Sequence, residues 1–108
     1  EMSMDITRGT SNVFADLGLP DAKERQTKTR LAMALNELIA ERKLKQVEAS
    51  AVLGIPQPRV SALSRYKLND FSVEKLMELL TLLDQDVEIF IRPRASQDAG
   101  AVSVLTVR

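Results

Sequence analysis

Residues 46–67 read QVEASAVLGIPQPRVSALSRYK, and the order of small, apolar and backbone-altering residues in this stretch decides the fold. With Gln46 opening a first short helix, Ala49, Leu53, Val60 and Leu63 take the inward apolar positions and Ile55 covers the turn between two helices. Ser50 is small where the helices cross closely. Gly54 follows Leu53, where a helix of about two turns must end and a positive φ costs glycine least. Pro56 and Pro58 fall in the opening of the next helix, where the first-turn N–H groups have no intrahelical partner and a missing one is cheap. The pattern predicts two short helices, a tight turn and their order.

Working outward, Asp21 to about Lys43 is predicted as one long helix. Pro20 marks its start, and Leu31, Leu35, Leu38, Ile39 and Arg42 recur at spacings of three and four. Lys23 to Arg30 is almost without apolar residues, so this part is expected to project or pack weakly. Downstream, Leu68 to Phe71 is a connector with Phe71 as a core plug, and Ser72 can cap a further helix in which Lys75, not Glu, takes the third position. Leu76, Leu79, Leu80 and Leu83 form its stripe, read as core in preference to a dimer seam. From Asp86 to Arg92 the period becomes two: Val87, Ile89 and Ile91 alternate with Glu88, Phe90 and Arg92, as in a half-buried strand. Its partner is either residues 101–107 folding back or the same strand of a second copy, and two-fold pairing favours the copy.

The expected organisation is an arm at 1–19, with Val13, Phe14 and Leu17 as a short apolar turn, a domain at 20–92, and a flexible tail at 93–108. A chain of 108 residues forms one small domain, whose limited core makes oligomerisation expected. The absence of cysteine and histidine argues against disulfides, the common zinc sites and histidine-based acid–base catalysis, so no metal or cofactor is expected. Neither a membrane span nor a signal-peptide pattern is visible, which points to a cytoplasmic protein. Asp84 and Asp86 are the only close acidic pair near a turn, and without a glycine-rich phosphate loop they make an enzyme the weakest reading. Net charge is zero, yet it is unevenly placed. Residues 41–67 carry six basic residues (Arg42, Lys43, Lys45, Arg59, Arg65, Lys67) against Glu41 and Glu48, whereas residues 70–88 carry six acidic residues against Lys75. The basic portion coincides with the helix pair, which suits phosphate contact.

The segment from about Leu44 to Leu83 resembles the Xre/Cro-type helix-turn-helix family. The wider run SNVFADLGLPDA…VSAL…DVEIFIRP is similar to its HigA-like antitoxin branch, so that the resemblance covers roughly residues 11 to 93. Two departures are Tyr66, where many relatives have glycine, and Ser50 in place of alanine. The resemblance implies a mainly α, five-helix lambda-repressor-like domain, here with one C-terminal β-strand (Val87, Ile89, Ile91) pairing across a homodimer. In helix-turn-helix geometry the second helix lies in the major groove of double-stranded DNA. Gln57 can then pair with adenine and Arg59 with guanine, while Ser61 and the methyl of Ala62 can touch bases. Gln46 resembles the family's phosphate-clamping glutamine, and Lys45, Arg65 and Lys67 are candidate backbone contacts.

Three functions follow as expectations. The first is a sequence-specific regulator of a palindromic operator that is also the antitoxin of a small ribonuclease-type toxin and represses its own operon. The second is a stand-alone phage-type repressor with no toxin, and the third a protein-binding module in which the helix pair is only scaffold. For a toxin, the arm around Phe14 and the long first helix are candidate surfaces, and both could equally be mere core packing.

Overall fold

The computed structural model describes residues 21–94 and 100–107. Four helices occur among them: α1 (Asp21–Glu41), α2 (Gln46–Leu53), α3 (Gln57–Ser64) and α4 (Val73–Leu82). The helix pair, its order and its turn follow the sequence reading, while the expected apolar turn at Val13, Phe14 and Leu17 lies outside the described residues.

α1 packs chiefly on α4, and α2 on α3, around one core. The largest fully buried side chains are Phe71, Leu35, Leu53, Leu63, Leu76, Leu79 and Leu83. Burial of each contributes roughly 1.5–3 kcal/mol before entropy is counted. Every helix contributes at least one buried apolar residue, so no pair of helices closes the core alone.

The helix ends share one device. Lys43, Gly54, Tyr66 and Asp84, each just past a helix, all have positive φ. Past three of them the chain closes the same wide loop, with Leu44 N donating to Ile39 O, Lys67 N to Ala62 O and Gln85 N to Leu80 O. These bonds satisfy carbonyls that the last helical turn leaves open. Side chains tie the ends together as well. Arg42 donates to Leu83 O at 2.6 Å and pairs with Asp84 at 3.0 Å, and Asn36 Nδ2 donates to Leu63 O at 3.1 Å. Ser72 caps α4 by accepting from Lys75 N at 3.0 Å, as its position predicts.

The predicted strand does not form in the single chain. No strand is present among the described residues, and Ile89, Phe90 and Ile91 are 60%, 86% and 71% exposed. The reason is physical: a strand exists only through a ladder with a neighbour, and residues 101–107 do not supply one. The C-terminal segment has no secondary structure at residues 101–107 and is mostly exposed. Val104 packs against the core, and Val104 to Thr106 lie beside Arg30, Met33, Ala34 and Glu37 of α1.

Candidate nucleic-acid interface

α3 is short, and its position is fixed from both ends. Pro56, extended at φ −63° and ψ 153°, precedes it and accepts from Arg59 N and Val60 N. Gly54 turns the chain at φ +68°, and Ser50 Oγ donates to Ile55 O across the turn. Val60 and Leu63 are buried, which fixes the rotation of α3 and leaves Gln57, Pro58 and Ser64 exposed and Ser61 half-buried. Helical periodicity puts Gln57, Ser61 and Ser64 on one outward face. Ser64, whose Oγ donates to Ser61 O at 2.7 Å, was not among the predicted residues, although its spacing of three from Ser61 identifies it.

Two predicted base readers sit differently from expectation. Ala62 is half-buried and packs against the margin of the core, so that only part of it is open to a duplex. Arg59 is drawn back toward the protein: its guanidinium lies 4.3 Å from the centroid of the Phe71 ring, and Nη2 donates to Asp70 O at 3.0 Å. Its Nε is buried without a partner among the described residues. A bidentate pair with guanine needs two free guanidinium N–H directions, so Arg59 would have to leave Phe71 and Asp70 to make one. The alternation of apolar and polar positions could not reveal this, because the acceptor is a main-chain carbonyl eleven residues on.

Lys45, Gln46, Arg65 and Lys67 are all exposed. Lys45 and Lys67 form no ion pair with the described residues, and Arg65 Nε donates to Ser61 O at 3.3 Å. Glu48 Oε1 accepts from Lys45 N at 2.8 Å and so caps the start of α2. Arg42, counted among the basic residues of this region, is instead committed to Asp84. Among the described residues no acidic cluster could hold a metal ion, and no helix is long and apolar enough to cross a membrane.

A buried-backed short helix with a polar outer face, reached through a tight glycine turn and with unpaired cations on either side of the helix pair in the chain, defines a helix-turn-helix reading head. Residues 13–92 match the family described as helix-turn-helix domain, and the chain belongs to that family, which is not enzymatic. A solved chain assigned to the XRE family of transcriptional regulators is 58% identical, with a TM-score of 0.78 over 82% of this chain and 100% of its own length. No curated protein matches.

Proposed function

We propose that this protein is a sequence-specific DNA-binding transcriptional regulator that lays α3 in the major groove. One observation carries the reading: the exposed face of α3 is polar, and Lys45 and Lys67, exposed on either side of the helix pair in the chain, pair with no described acid. Gln57 and Ser61 read base edges, with Ala62 touching at the margin, while Lys45, Gln46, Arg65 and Lys67 hold phosphates. Arg59 acts from behind by fixing α3 to the connector at Asp70 and Phe71. Residues 20–92 form the DNA-binding unit, and Val87, Ile89 and Ile91 pair with the same strand of a second copy, giving the two-fold symmetry that a palindromic operator requires.

The test is a mobility shift on the DNA upstream of the protein's own coding sequence, with mixed-sequence DNA as competitor. Gln57→Ala should lower selectivity by roughly 5- to 150-fold, the equivalent of about 1–3 kcal/mol, while nonspecific affinity holds. If the wild-type chain shows no preference for that DNA even at low salt, the helix pair is scaffold and this reading fails.

The finer proposal is that the chain is also the antitoxin of a small ribonuclease-type toxin and represses its own operon. It rests on the similarity of residues 11–22 and 86–93 to the HigA-like branch. A neighbouring short basic reading frame whose product co-purifies with this chain supports it. If no such partner exists, the regulator stands alone.

A further inference from the structure

The core does not account for the opening of α1, where residues 21–26 include no buried residue. Burial on this helix is confined to Thr27, Leu31, Ala32 and Leu35, so its opening turns extend beyond the packed part. Residues 21–30 nonetheless carry Lys23, Arg25, Lys28 and Arg30 against only Asp21 and Glu24. Arg25, Lys28 and Thr29 form one wall of a groove whose other wall is Tyr66, Leu68 and Asn69, in the connector that leaves α3. Lys28 Nζ reaches Leu68 O at 3.5 Å and Glu24 at 3.8 Å, both long contacts that leave the ammonium a free donor direction. Arg25, Tyr66 and Asn69 are exposed, and their side chains make no ion pair or hydrogen bond with the described residues.

We propose that this groove is a second phosphate clamp, in which Arg25, Lys28, Tyr66 and Asn69 grip the DNA backbone beyond the end of the recognition helix. The inference rests on the DNA-binding reading above. A guanidinium, an ammonium, a phenol and an amide line the groove as donors, no acid is among its lining residues, and Glu24 beside it already faces Lys28. That donor set suits phosphate oxygens. Tyr66 lies between Arg65 and Lys67, the proposed phosphate contacts at the end of α3, so the groove adjoins that end of the recognition helix. Such contacts position the protein without reading sequence.

The experiment measures binding of the full chain to a mixed-sequence duplex from about 50 to 200 mM salt, where each lost phosphate contact lowers the slope of log K against log salt by about 0.9. The double variant Arg25→Gln with Lys28→Gln should lose roughly two units of slope, and Arg25→Gln alone roughly one. Lys75→Gln, on the far helix α4, should keep the wild-type slope. If the double variant loses its helical circular dichroism, Arg25→Gln gives the answer alone, because its side chain supports no described contact. An unchanged slope in Arg25→Gln, beside a reduced one in Lys45→Gln, overturns the clamp and leaves the reading head standing. Equal losses in Arg25→Gln and Lys75→Gln reduce the effect to net charge and also overturn it. A wild-type chain without salt-dependent DNA binding removes both proposals.

Discussion

The helix pair at 46–64 and the segment at 86–92 have similar apolar content, but the fold treats them in opposite ways. In the first, Ala49, Leu53, Val60 and Leu63 are buried against α1 and α4, and the turn between them satisfies its own polar groups. In the second, Ile89 and Ile91 face solvent and the backbone has no ladder. A helix completes its hydrogen bonds within itself and needs a neighbour only for its apolar stripe, whereas a strand needs a neighbour for both. One region is therefore finished among the described residues, and the other is not.

The largest expected effect falls on the finished region. Leu63→Ala removes a fully buried side chain beneath α3, and should cost about 2–5 kcal/mol, read as a lower denaturant midpoint with an unchanged slope. In a domain of this size such a loss consumes much of the total stability. A midpoint shift of less than about 1 kcal/mol would mean that the core closes without α3 and would blur the contrast between the two regions.

A smaller effect tests the turn that makes the pair possible. A Cβ added at Gly54 meets no atom within 4 Å, so Gly54→Ala is opposed only by its φ of +68°. That conformation costs an L-residue roughly 1–2 kcal/mol, partly offset because alanine has less unfolded-state freedom to lose. A net loss near 1 kcal/mol is expected from thermal unfolding. Tyr66→Gly is the mirror image. Tyr66 holds φ +60° at the end of α3, and glycine there should relieve strain for a net change from zero to about +1 kcal/mol. If the groove beside α1 clamps phosphate, the same variant binds mixed-sequence DNA more weakly while folding at least as well.

These turns also mark what the sequence could and could not reveal. The glycine at 54 announces its turn, because glycine is the residue that reaches positive φ without strain. Lys43 and Asp84 adopt the same conformation without any such signal, and Tyr66 with only the glycine of many relatives to mark it, since the closing bonds at helix ends hold them there. The long helix, the helix pair and the Ser72 cap were legible from spacing and composition. Of the candidate interface, the exposed place of Gln57 was legible from the burial of Val60 and Leu63, and Lys45 and Lys67 are exposed on either side of the helix pair in the chain. Arg59 was not legible, because its fate depends on Phe71 and a carbonyl brought alongside by tertiary packing. Arg59→Ala is for this reason a poor test of base reading, since it also releases the connector. Gln57→Ala disturbs no described side-chain contact and separates the two roles.

The smallest effect on the fold is expected at Ile89, and it bears most directly on the comparison. Ile89→Lys places a charge on an already exposed side chain, so unfolding of the isolated chain should shift by no more than about 0.5 kcal/mol. If residues 86–92 pair with a second copy, the same change puts a lysine on each side of the two-fold seam, where like charges and lost apolar contact oppose association. Sedimentation would then report a dimer for wild type and a monomer for the variant, with the circular dichroism of the helices unchanged. Affinity for a palindromic site would fall with the dimer, while binding to a single half-site would persist. Equal sedimentation of both proteins would mean that Ile89 and Ile91 are covered by some other partner, or by none. The symmetry of any operator would then have to come from another surface.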